Sequence, residues 1–388
     1  MKTKVLRNIF ISVGVLFASV QLLTAGANDS ASSFRNIPLA GHSPTYTAFD
    51  APGAGTASGQ GTQALCINPK GTIAGGYIDA SSVFHGFVHG TDGTFITVTA
   101  PGAGTNPGEG TEVLSINPMG AATGLYADQG AAFHGFLLAR DGTITTIDVP
   151  GAGTGFLQGT QAENINPSGV IAGFYIDSSN VNHGFLRAPD GTFTTFDAPG
   201  AGTGPGQGTF VSSVDCLNPA GTAAGEYLDA SNVFHGLVRA PDGTITVFDA
   251  PGAGTGPSQG TQCAGINQAG TIEGFYFDSN SALHGFVRAA NGAITSVDVP
   301  GAGTGPGQGT LCANINAPGD ITGWYVDASS VAHGFSLAKQ GTLTTFDVPG
   351  AGTGSGQGSF AYCNNPVDAM SGWYTDSGNV FHGFLRTP

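Results

Sequence analysis

The sequence predicts an all-β repeat fold, a closed seven-bladed β-propeller with four strands in each blade. Three observations predict it. Pro-Gly-Ala-Gly-Thr begins at Pro52, Pro101, Pro150, Pro199, Pro251, Pro300 and Pro349, and His-Gly-Phe (once His-Gly-Leu) at His85, His134, His183, His235, His284, His333 and His382. Both series step by 49 residues, with one step of 52 where unit four carries three extra residues near Val211 to Asp215. A fixed period of this size marks a repeat architecture. Each unit breaks into four short strand-like runs, and no helical periodicity follows residue 27. Finally, the last unit stops six residues after His382, one strand short.

The elements follow in chain order. Lys2, Lys4 and Arg7 precede the apolar run Ile9 to Leu23, and Ala25-Gly26-Ala27 is a small-x-small cleavage pattern. Residues 1–27 therefore read as a secretory signal peptide. Residues 28–44 read as a linker and 45–388 as the propeller. In unit three, Gln161 to Asn166 is the first strand, and Asn166-Pro167-Ser168-Gly169 is a turn sequence. Val170 to Asp177 alternates as a strand does. After the polar Ser178-Ser179-Asn180, Val181 to Arg187 is the third strand. Pro189-Asp190-Gly191 signals a hairpin, and Thr192 to Asp197 is a Thr- and Phe-rich fourth strand.

The fourth connection is long, Ala198 to Gly208, and nearly all Gly, Pro, Ala and Thr. Its length suits a crossing from the outer edge of one four-stranded sheet to the inner edge of the next. Thr45 to Asp50 matches the fourth-strand pattern of Thr192 to Asp197, so the N-terminal strand is expected to complete the last blade. An open solenoid would instead call for atypical caps.

Composition narrows the function classes. Gly and Pro are 65 and 22 of 388 residues and recur at fixed turn positions, which reads as turns rather than low complexity. Removing residues 1–27 removes three bases and no acid. That leaves 8 Lys+Arg against 26 Asp+Glu, a net charge near −18. Such a chain is not expected to bind nucleic acid or an anionic membrane surface. No membrane span is expected after signal removal, and the expectation is a secreted monomer, extracellular or periplasmic.

Several residues invite a chemical reading. The seven motif histidines lie on third strands, far from an axis, so a shared metal ion is not expected. The Asp after each Tyr (Asp79, Asp128, Asp177, Asp229, Asp278, Asp327, Asp376) is their expected partner and also a turn former. No dense Asp-x-Asp calcium set is present. The five cysteines form no CxxC pair and read as small buried apolar residues. Cys263 and Cys312 hold equivalent positions in neighbouring units. The Gly-rich links lack the helix or Lys of a phosphate cradle. Neither a metal nor a cofactor is expected.

Ile67-Asn68-Pro69-Lys70-Gly71-Thr72-Ile73-Ala74-Gly75-Gly76-Tyr77, followed by His85-Gly86-Phe87, resembles the HAF repeat of bacterial extracellular proteins. The resemblance covers about residues 45–388, with Gly in place of Ala after every His. It implies export and a propeller-like fold, and no defined activity, catalytic residue or cofactor.

Sites usually break a repeat. The residue before the second-strand Tyr is Gly76, Leu125, Phe174, Glu226, Phe275, Trp324 and Trp373 in turn. Glu226 and Glu273, on the same face of adjacent units, are candidate acid/base residues of a carbohydrate-active hydrolase or lyase. Trp324 and Trp373 are candidate stacking residues for a glycan. No nucleophile–base pair stands out. The expectation is therefore a non-catalytic binding or surface scaffold for a glycan or cell-surface protein, with the carbohydrate-active enzyme as its rival.

Overall fold

The computed structural model describes residues 43–388. The expected signal peptide and residues 28–42 of the expected linker lie outside the described residues. The described chain is all β, with 28 strands and no helix. It forms a closed, propeller-like repeat sheet.

Unit one sets the pattern. Its strands Gly61–Ile67, Ile73–Ile78, Phe84–His89 and Phe95–Val98 pair antiparallel in sequence order. The same meander recurs in units two to six. In unit seven, Gly358–Asn364, Met370–Thr375 and Phe381–Thr387 pair in order, and Thr45–Phe49 completes the sheet. Thr45 pairs with Thr387 and Phe49 with Gly383. The expected use of the N-terminal strand is therefore observed at the level of register.

Turn chemistry explains why the strands stop where they do. Asn68 Oδ1 accepts the N–H groups of Lys70 and Thr72, which folds the first hairpin back on itself. Asp79 Oδ1 does the same for Ser81 and Val83 in the second. The long link is pinned at its start, where the Thr62 hydroxyl accepts the N–H of Ala51 at 2.9 Å. Equivalent bonds hold the other links, ending with Ser359 and Val348. At its far end the link meets the previous unit. Gly110 pairs parallel with Phe84, and a Cβ there would overlap the Phe84 carbonyl oxygen. Its φ of 121° also lies where side chains are disfavoured, so the residue must be glycine.

The first strand of each unit is buried on both faces and lines a common axis. Most carry a bulge, as between Ala64 and Cys66. Around one end of the axis the turn asparagines link the units. Asn68 Nδ2 donates to the Asn117 carbonyl, and the relay runs on through Asn166, Asn218, Asn267 and Asn316 to Asn365. Asn365 then donates to the Asn68 carbonyl, closing the circuit. Each amide satisfies a backbone carbonyl of a buried asparagine in the neighbouring unit.

Unit four departs from this plan. Its first strand is cut to Gly208–Phe210. The extra residues leave only isolated bridges, Asp215 to Gly265 and Leu217 to Ala223.

Candidate functional site

A cavity of 390 Å³ opens beside that shortened strand. Its wall is built from the positions at which the repeats differ. The second residue after the Gly of each first strand supplies Gln161, Phe210, Gln262 and Leu311; the fourth supplies Glu163, Ala264, Ala313 and Tyr362. The residue before the second-strand Tyr supplies Phe174, Glu226, Phe275 and Trp324. The turn Asn and the motif His stay the same from unit to unit and the link hydroxyl is Thr in six units and Ser359 in the seventh, while the lining changes.

The aromatic side of the wall is a packed cluster. Trp324 meets Phe360 edge-on at 5.7 Å and Tyr362 face-on at 6.2 Å. Phe174 and Phe210 meet edge-on at 5.3 Å. Such arrangements suit the ring quadrupoles.

The polar side is under-satisfied. Both carboxyl oxygens of Glu163 are buried without a hydrogen-bond partner, and so are Glu226 Oε2, Gln262 Nε2 and Trp324 Nε1. Glu226 Oε1 accepts from the Ser212 hydroxyl. Burial pushes Glu226 up to about 7, held back by Ser212 and by the Cys263 N–H. Burial pushes Glu163 well above the carboxylate range, helped by the fields of Glu112 and Glu226. Glu112, in the preceding unit, is pushed up to about 8 by burial. These groups sit as neutral acids at mildly acidic pH, each with an O–H to give and a carbonyl to accept.

The sequence candidates are distributed unevenly. Glu226 and Trp324 both line the cavity. Trp373 stands outside its lining, stacked on Phe360 at 5.4 Å and nearly buried. Glu273 is also outside the lining, fully buried, and its acidic neighbour is Asp215. Glu226 instead shares its surroundings with Glu163, which sequence reasoning missed. The signal was present, because Glu163 stands where other units carry Leu, Ser, Ala or Tyr.

The histidines have a structural role. His183 Nε2 lies 3.6 Å from Asp177, the expected partner. The shorter contact is Nδ1 to Asp197, at 2.8 Å, and Tyr175 stacks on the ring at 4.9 Å. Unit one lacks that second acid, having Thr99 in its place, and there His85 Nε2 closes on Asp79 to 3.1 Å. All five cysteines are buried free thiols. Cys263 and Cys312 pack into separate core clusters. The sulfurs brought together are those of Cys66 and Cys363, at 3.8 Å.

No protein-family model matches the chain, and no curated protein matches it. Among solved structures, the chain is similar to the BP39L lectin from Burkholderia pseudomallei, with TM-score 0.53 and 10% identity over 83% of this chain and 94% of that one. TolB from Acinetobacter baumannii gives TM-score 0.41 and 10% identity over 86% of this chain. Dipeptidyl peptidase 4 from Porphyromonas gingivalis gives 0.43 and 9% over 81%. The chain spans 65% of the TolB length and 50% of the peptidase. The lectin similarity bears on the fold alone, which is a propeller-like repeat scaffold.

Proposed function

We propose that this chain is a secreted, non-catalytic β-propeller of HAF type whose axial cavity binds a compact polyhydroxylated ligand of the saccharide class. Its four-stranded units are the seven blades, with Thr45–Phe49 as the outer strand of the last. The asparagine circuit, which returns from Asn365 to Asn68, supports that count.

One observation carries the ligand class. Buried donors (Gln262 Nε2, Trp324 Nε1) and buried acid oxygens (both of Glu163, and Glu226 Oε2) lack partners beside an aromatic wall. Hydroxyl groups both give and accept, so one polyol can satisfy both kinds. Unpaired buried polar groups otherwise cost about 1–3 kcal/mol each. The cavity volume falls within the range of small-molecule sites.

The chain has two tryptophans. One lines the cavity and the other packs within 6.5 Å of it, so intrinsic fluorescence reports occupancy. Titration with a panel of mono- and disaccharides is expected to give a saturable emission shift, abolished in Glu163→Leu. A panel with no shift would overturn the ligand class. Turnover of any glycoside, lost in Glu226→Gln, would overturn the non-catalytic reading in favour of a carbohydrate-active enzyme.

A further inference from the structure

We infer that Cys66, Cys363 and Asp215 form a binding site for a thiophilic divalent cation of the zinc type. Two irregularities of the repeat converge there. Cys66 and Cys363 occupy the same first-strand position in units one and seven, which only ring closure makes neighbours. Asp215 comes from the three-residue insertion of unit four, on the other side of the axis. The insertion carries its carboxylate across to accept from Asn314 of unit six and to meet Cys363 Sγ at 3.6 Å. The three ligand atoms lie within 4.8 Å of one another, a grouping found once among the described residues.

The spacing is that of a coordination polyhedron. With metal–sulfur bonds of about 2.3 Å and metal–oxygen bonds of about 2.1 Å, tetrahedral angles place two sulfurs about 3.8 Å apart and a sulfur about 3.6 Å from an oxygen. The separations are 3.8 Å and 3.6 Å. A pair of thiols filling core space has no use for a carboxylate brought from across the ring. Two soft thiolates with one hard oxygen select zinc-type ions over magnesium or calcium. Asn314 orients the carboxylate as an outer partner. Cys66 and Asp215 also line a second cavity, of 230 Å³, at the asparagine end of the axis. That opening gives an ion its path and a water its place as fourth ligand. Binding releases the two thiol protons to solvent, so affinity falls as pH is lowered.

The test uses the full chain, reduced and handled without oxygen, with Co(II) as the spectroscopic probe. One equivalent of Co(II) is expected to bind with thiolate-to-metal charge-transfer absorption and tetrahedral visible bands. Zn(II) is expected to displace it. Cys66→Ser and Cys363→Ser are expected to abolish the charge-transfer band, and Asp215→Asn to weaken binding at least about tenfold, the loss seen even for outer-shell changes. X-ray absorption of the zinc-loaded wild-type chain needs no variant, and is expected to give two sulfur scatterers near about 2.3 Å. Reduced protein that shows no charge-transfer band, or zinc held without sulfur, overturns the inference. So does a Cys66–Cys363 disulfide in protein alkylated at the moment of isolation, which would make the pair a covalent clasp.

Discussion

The side-chain amide of Asn365 donates to the backbone carbonyl of Asn68, 3.3 Å away and 297 residues earlier in the chain. The other turn asparagines bond a neighbour 49 or 52 residues ahead. The same residue therefore folds its own turn through Oδ1 and fastens the next unit through Nδ2.

Replacing one link of this circuit is expected to cost more than a typical surface substitution. In Asn166→Ala the N–H groups of Ser168 and Val170 lose an acceptor and the Asn218 carbonyl loses a donor. The expected loss is about 2–4 kcal/mol, given about 1 kcal/mol for an ordinary bond and more for a buried orphan. Urea unfolding measures it. A loss below about 0.5 kcal/mol would show that the circuit is ornamental.

Deleting residues up to Asp50 removes the outer strand of unit seven and the Asp50 partner of His382. The strand Phe381–Thr387 then becomes an exposed edge, a known route to association. A markedly lower Tm and concentration-dependent oligomers are expected, read by calorimetry and light scattering. A monomer of unchanged Tm would mean that Thr45–Phe49 contributes nothing to closure.

Stability is expected to peak in mildly acidic solution and to fall towards pH 8. Glu112, Glu163 and Glu226 have folded pKa values raised above the usual carboxylate value. A raised acid binds its proton more tightly in the folded state, so folding is penalised as pH climbs from about 4.5 through the folded value. For Glu112, pushed up to about 8, the penalty is on the order of a few kcal/mol. Below that window Asp177 acts the other way. Burial raises it, but the N–H groups of Val181 and Ser179 and the His183 side chain together hold it down, so its contribution is lost as pH falls. Glu163→Gln is expected to raise Tm at pH 8 and leave it unchanged at pH 5. Equal effects at both values would contradict a buried titrating acid.

His134 offers a local counterpart. The Asp148 hydrogen bond raises its pKa against the opposing effect of burial. This contribution is complete below the ordinary histidine value and disappears as pH rises through the folded one. In Asp148→Asn, NMR titration of the His134 ring is expected to give a lower pKa. An unchanged value would assign the shift elsewhere.

Much of this architecture was legible in the sequence. Turn residues fix the hairpins locally, and the strand-sized offset between the ends announced the final pairing. The histidine environment was half legible. The Asp after the Tyr was expected, but the nearer acid was Asp197, which the pairing of Gly184 with Phe196 places opposite His183. The axial wall was harder to read, because first strands are buried on both faces and carry no alternation of polarity. A bulge then switches the parity midway. The contact of Asp215 with Cys363 depends on the diameter of the ring and on the path of three inserted residues. Neither is a property of local spacing.

The separation between an invariant frame and a variable lining has an evolutionary reading. Units three to six contribute most of the variable wall positions and unit seven adds Tyr362; none of these positions carries a turn or an inter-unit bond of the asparagine circuit. Recombination that exchanges one whole unit would re-letter a sector of the cavity wall in a single event and leave its supports untouched. Under the binding role proposed above, selection would retune recognition much as loops do on other scaffolds, but from the inner wall of a rigid cylinder.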